Sequence, residues 1–277
     1  MDRYMLRSFR NSPEPVQAPV RTISLEQQTR ICRVAVQAGR IMQQHGAESK
    51  LIEETTVRLG KALGLDSVEL AITANALILT GLSQGRCITT TRRVYDRGIN
   101  MHMVCEVQRI TIMAEKQLLD VDDVVKRLER LQPYKHNRWL VVFMIGMSCA
   151  CFSRLFGGDW AVFAMTFVAS AVAMLFRQEM AHRHHNPILN FGMTAFVATT
   201  IAGLAVRYDI GNQPQTVMAA SVLLLVPGFP LINAVSDMVK GHISMGISRW
   251  FFASLLSLGV AMGIALSMWA TGVSGWL

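Results

Sequence analysis

Val226-Pro227-Gly228-Phe229-Pro230, followed by Asn233 and Asp237, interrupts an apolar run from about Val217 to Met238 that is long enough to cross a membrane. Two prolines and a glycine cannot sit in an unbroken helix at that depth, because proline lacks an amide donor and its ring clashes with the preceding turn. Unpaired backbone is costly in hydrocarbon, so such a break survives only inside protein or beside a watery cavity. Secondary transporters build substrate sites from broken helices of this kind. The stretch therefore points to a transporter.

Outward from it, the chain divides into two materials. Of 46 Lys, Arg, Asp and Glu residues, 36 precede Trp139 and 10 follow it. The net charge of +8 resides mostly in the front part, with 21 basic against 15 acidic residues. A basic balance beside membrane segments suits anionic lipid and a cytoplasmic position, and no interleaved basic-aromatic pattern suggests nucleic acid. The expected organisation is a disordered tail over 1–22, a cytoplasmic α/β domain over 23–138 and a transmembrane domain over 139–277.

Five apolar runs follow the boundary, at about Trp139–Phe156, Trp160–Phe176, Ile188–Val206, Val217–Met238 and Trp250–Ala270. Four reach the roughly 20 residues of a full span, and the second is near the short limit of about 17. All five tryptophans (Trp139, Trp160, Trp250, Trp269 and Trp276) fall at run ends, as in an aromatic belt. Lys135, Arg138, Arg177, Arg183, Lys240 and Arg249 flank one side, against Arg154 and Arg207 on the other. The positive-inside rule then puts the front part in the cytoplasm and Leu277 outside it. Met1–Thr22 has no apolar core, so no signal peptide is expected.

In the front part, Ser24 and Gln27 form a capping-box signal for a helix to about His45, with Ile31, Val34, Ala35, Ala38, Ile41 and Met42 on one face. A second helix is expected over Ser49–Leu63. Strand-like runs follow at Val68–Thr73, Ala76–Leu82 and Cys87–Arg92, then helices over about Asn100–Leu118 and Val121–Leu131. His45-Gly46-Ala47-Glu48 and Arg97-Gly98-Ile99-Asn100 read as a helix stop and a helix start. There is no phosphate loop, His-Glu-x-x-His or nucleophile elbow, so an enzyme is not expected and neither is a cofactor. The five cysteines form no metal spacing, and His182, His184 and His185 read as loop charge rather than ligands.

In the membrane part, Gly259, Gly263 and Ser267 recur every four residues, and Gly192, Ala195, Thr199 and Ala202 share a face. Both patterns suit close helix packing. Thr194 and Thr199 are candidates for lining a solute path. Asp237 is the candidate coupling group, because acids within spans are costly and default to function. Asn233, four residues earlier, shares its face. The half-helix starting near Phe229-Pro230 would present its positive end to an anionic group. Pro227, Gly228, Phe229, Pro230 and Asn233 are the candidate substrate residues.

Pro227-Gly228-Phe229-Pro230-Leu231-Ile232-Asn233-Ala234 with Asp237 and Gly241 resembles the signature of the threonine/serine exporter family. Gly46-Ala47-Glu48, Asp96-Arg97-Gly98-Ile99-Asn100-Met101-His102 and Phe156-Gly157-Gly158-Asp159 match further landmarks, and the likeness runs from about Ser24 to the C-terminus. Fused members have about ten spans, whereas this chain has five. The resemblance implies the larger half of a split inner-membrane exporter whose smaller five-span membrane partner supplies the remainder. It implies export of succinate, with threonine or serine as the alternative. The combined expectation is a polytopic α-helical membrane protein of about five transmembrane helices, one of them broken, with a small N-terminal α/β domain. A membrane-anchored enzyme and a scaffold are the other classes weighed.

Overall fold

The computed structural model describes residues 23–273; the expected tail over 1–22, Trp276 and Leu277 lie outside them. Ser24 starts α1 (Leu25–Gln44) with both halves of the capping box formed by Gln27. The face foreseen from the helical period is buried, from Ile31 to Met42. Gly46, at φ +84°, ends the helix and turns the chain into α2 (Ser49–Ala62).

Three antiparallel strands follow in the order β1 (Ser67–Ile72), β2 (Ala76–Ser83) and β3 (Arg86–Arg93). Gln84 and Gly85 both have positive φ, the geometry of a two-residue hairpin whose twist matches the strands it joins. Leu77 and Leu79 of β2 are fully buried in one core with residues of α1 and α2. Helices α3 (Met101–Glu115) and α4 (Val121–Arg130) pack on the far side of that helix pair. The result is a sheet, a helix pair and a second helix pair.

The chain is a membrane protein: α5 (Arg138–Leu155), α6 (Trp160–His182), α7 (Pro187–Arg207) and α10 (Ile243–Thr271) are each long and apolar enough to span a bilayer. Between α7 and α10 lies a bent pair, α8 (Pro214–Ser221) with a short 3-10 turn Leu223–Leu225, then α9 (Gly228–Val239). The two limbs meet at 54° and count as a broken span or a re-entrant loop. Their neighbours differ: α8 packs among α5, α6 and α7, whereas α9 packs against α10.

Two apolar runs understate their helices. The second runs through Arg177, Gln178 and Glu179 to His182, making 23 residues rather than a marginal span. The fifth begins at Ile243, so Arg249 and Trp250 lie inside α10 rather than at its edge. Polar residues in a final or first turn carry no apolar signal, although the backbone stays helical.

Glycine sets the α7–α10 contact. A Cβ at Gly192 would come 3.0 Å from the Gly259 carbonyl, and one at Gly259 would lie 3.0 Å from the Ile188 carbonyl. The Thr200 and Ser267 hydroxyls are 2.9 Å apart across the same seam. Phe156-Gly157-Gly158-Asp159 has a structural role as well: Asp159 and Asn212 exchange backbone-to-side-chain hydrogen bonds at 2.8 and 3.1 Å, tying α6 to the turn before α8. Gly259→Leu is expected to cost about 1–3 kcal/mol by overpacking, read as an earlier unfolding midpoint in detergent. Ala at the exposed neighbour Leu258 is expected to change little.

Candidate functional site

At the helix break the backbone is satisfied piece by piece. The Gly228 amide donates to the Val226 carbonyl at 2.8 Å, and Pro227, at φ −80° and ψ 55°, sits at the centre of that inverse γ-turn. The Leu231 amide reaches the Pro227 carbonyl at 3.2 Å, opening α9. Pro230 falls in the first turn of α9, where amides have no intrahelical partner, so its missing donor costs nothing there. The Leu224 carbonyl, released by the break, accepts from Arg177 Nη1 at 3.3 Å. Two residues that would rupture a helix mid-way thus stand where a half-helix can start.

The polar edge of α9 then grips the turn between α1 and α2. Asn233 Nδ2 donates to the Gly46 carbonyl at 2.9 Å, the Ser236 hydroxyl donates to Glu48 Oε1 at 3.0 Å, and Lys240 pairs with Glu48. Asp237 accepts from the Ser49 amide at 2.8 Å and the Ser49 hydroxyl at 2.9 Å. The Ser49 amide belongs to the first turn of α2, so the carboxylate also caps that helix and meets its positive end. From α10, Arg249 Nη2 donates to the Ala47 carbonyl at 2.6 Å, and Nη1 lies 3.0 Å from Asp237 Oδ2 as an ion pair without hydrogen-bond alignment.

Asp237 has no exposed surface and the Arg249 side chain has 13%. Among the described residues Asp237 is the one Asp, Glu, Lys or Arg in the buried class. The cost of removing these charges from water is offset by their mutual attraction and by the hydrogen bonds to Ser49 and Ala47.

Above this junction opens a cavity of about 660 Å³. Phe229, Pro230 and Asn233 of α9 form one wall; Tyr95, Asp96 and Ile99 form a second; Arg249 of α10 also lines it. The second wall is held by backbone bonds from Arg97 to Gln44 at 3.0 Å and from Asn100 to His45 at 3.1 Å. Gly46 is confined between the walls, since a Cβ there would lie 3.2 Å from Ile99 Cγ1 and 3.6 Å from Phe229 Cε1.

The break and the signature therefore converge on one place, with differences in detail. Phe229, Pro230 and Asn233 line the cavity, whereas Pro227 and Gly228 shape the turn behind it. One amide donor of Asn233 is already used by Gly46. Thr194 and Thr199 do not join the cavity; they are buried in α7 and bonded within it, to Asn190 Oδ1 at 3.2 Å and the Ala195 carbonyl at 2.7 Å. The two special turns of the front part, read as a helix stop and start, form half of the site. Arg249, read as loop charge, is a central member of it. Its signal would have been the i, i+3 and i+4 register with Met245, Phe252 and Ala253, which continues α10 upstream of the apolar run.

Lys240, as hydrogen-bond donor, holds the Glu48 carboxyl below its ordinary range, outweighing partial burial. A depressed carboxylate contributes stability above its unfolded pKa and loses it as pH falls through the folded value. Wild type should therefore weaken from about pH 5 downward, and Lys240→Ala should flatten that loss in an unfolding series against pH. Asp237→Ala is expected to cost about 3–5 kcal/mol by stranding Arg249. Adding Arg249→Met should restore part of it, which a double-mutant cycle of unfolding midpoints measures.

Comparison with known proteins identifies the family. The profile of the family described as "Putative threonine/serine exporter" matches residues 33–270. A protein of Escherichia coli K12 named "Probable succinate transporter subunit YjjP" is 52% identical over 253 residues, covering 91% of this chain and 99% of that protein. Its namesake in Klebsiella aerogenes is 53% identical over 90% of this chain and 97% of its own length. A "Probable threonine/serine exporter" of Mycobacterium tuberculosis is 20% identical over 86% of this chain but only 46% of its own length. No solved structure matches the chain.

Proposed function

The chain belongs to the threonine/serine exporter family, and on that premise we propose that it is one subunit of a two-component transporter exporting succinate across the bacterial inner membrane. It is not an enzyme, and the family it belongs to is one of exporters. The observation that carries the reading is the 660 Å³ cavity with a helix break as its wall. A scaffold or anchor gains nothing from an interrupted span, whereas a carrier gains a polar, solvated place for a solute.

In this reading residues 23–138 form a domain on the cytoplasmic side, the side that the segments bearing Lys135, Arg138, Arg183 and Lys240 share, and the C-terminus lies in the periplasm. Phe229, Pro230 and Asn233 form the solute wall, and Asp237 is the coupling group. Its full burial against a single guanidinium supports that role, because a change in its charge alters the whole junction. The partner is a smaller membrane subunit carrying the remaining five spans. The relative from Mycobacterium tuberculosis, of whose length this chain matches 46%, supports the existence of a further part beyond this chain's share.

A second reading, export of threonine or serine, draws on one feature. Asp96 lines the cavity and would suit an ammonium group better than a second carboxylate.

The test is efflux of labelled succinate, with threonine and serine beside it, from proteoliposomes holding this chain and its co-expressed partner. Succinate efflux that disappears when either subunit is omitted is the expected result. Transport by this chain alone would remove the two-subunit proposal, and efflux of threonine without succinate would establish the second reading. Asp237→Asn is expected to insert normally and to lose at least tenfold in efflux rate; unchanged efflux would reduce Asp237 to a structural group.

A further inference from the structure

The Asp237–Arg249 pair is unequal in what each member would keep if the two parted. Asp237 would retain the Ser49 amide and the Ser49 hydroxyl, two aligned hydrogen bonds at the head of α2. Arg249 would retain one aligned hydrogen bond, to the Ala47 carbonyl, with the Asp96 and Glu48 carboxylates further off. A guanidinium carries five N–H donors in a planar fork that suits a carboxylate bidentately. Here one donor makes an aligned bond and another faces Asp237 without alignment. The carboxylate is therefore secured without the arginine, while the arginine has donors left over.

Arg249 lines the cavity, with Nη1 buried against Asp237 behind it. Arg249 is the single basic residue among its lining, and the wall around it on α10 is mainly apolar, with Met245, Phe251, Phe252 and Leu255 beside Ser248. In an apolar, low-dielectric pocket, a partly buried cation is where an anionic group gains most. Asp96 is the one acid among the lining residues, and its Oδ1 is held at 2.8 Å by the Gly98 amide within its own turn.

We propose that Arg249 is the carboxylate-binding residue of the cavity and that Asp237 is its internal competitor, so that a solute carboxylate exchanges for Asp237 on the guanidinium. In the exchange the solute takes the fork, and Asp237 gives up its counter-charge but keeps the two Ser49 hydrogen bonds and the positive end of α2. Loading the cavity thereby breaks the one ionic link between α9 and α10 at this junction. The inference rests on the transport reading only in taking the solute to bear a carboxylate.

The experiment is calorimetric titration of the purified full-length chain in lipid nanodiscs with succinate and, separately, with threonine. Wild type is compared with Asp237→Asn, Arg249→Lys and Arg249→Gln, beside succinate efflux with the partner subunit present. Asp237→Asn keeps an acceptor oxygen for Ser49 but removes the competing charge, so the Kd should fall at least fivefold even as turnover is lost. Arg249→Gln should raise the Kd more than tenfold, with Arg249→Lys between it and wild type. A folded Asp237→Asn protein whose Kd is unchanged or higher overturns the exchange, and if efflux of succinate persists in wild type the transport reading survives that loss. Reciprocal effects seen with threonine, without succinate binding or efflux, would uphold Arg249 and remove succinate as the solute. Absence of binding by either ligand to wild type and to Asp237→Asn overturns the exchange as well.

Discussion

A carboxylate and a guanidinium taken out of water each cost several kcal/mol unless they are paired and their remaining valences are met. Asp237 and Arg249 satisfy that condition only through atoms far away in sequence, the amide and hydroxyl of Ser49 and the carbonyl of Ala47. The pair thus obliges three segments to meet: the turn closing α1, the polar edge of α9 and the first turns of α10. The ancillary contacts, from Asn233 to Gly46 and from Ser236 and Lys240 to Glu48, extend the same seam along one side of α9. Without the seam the front layer and the membrane helices would share little beyond the chain that links them, and the cavity would lack its second wall.

The helix break serves the same junction. Pro227 and Pro230 are tolerated because one centres a γ-turn and the other stands in the first turn of α9, where a missing donor has no partner to lose. A continuous helix through this stretch would carry the Asn233–Lys240 face along a different axis, since the two limbs differ by 54°. The break therefore aims a polar face as well as exposing backbone.

Much of the architecture was legible because it rests on local rules. The Ser24 capping box, the buried stripe of α1 and the half-helix after Pro227 each depend on residues within a few positions of one another. The small-residue seam between α7 and α10 was also readable, since Gly259 and Gly263 repeat at the helical period. What was not legible lies in contacts across long separations. Nothing within ten residues of Ser49 signals that its hydroxyl meets Asp237, a contact spanning 188 positions. Arg249 was hidden for another reason: a hydropathy run begins where apolar residues begin, whereas α10 begins at Ile243 with a polar turn. Thr194 and Thr199 show a converse case, in which polar residues on a packed face are bonded within their own helix and stand apart from the cavity.

The continuity of α10 has a mechanical consequence. At 29 residues it extends about 43 Å, with Arg249 in its second turn and Gly259 and Gly263 clasped to α7 further along. An unbroken helix of this length behaves as a stiff rod, so a tilt imposed at Arg249 turns about the glycine clasp as a fulcrum and reappears, reversed, near Trp269. The bent pair beside it cannot do this, because its two limbs rest on different neighbours and meet at a joint. A displacement imposed on the first element would reach its far end, whereas one imposed on the second would be taken up at its joint.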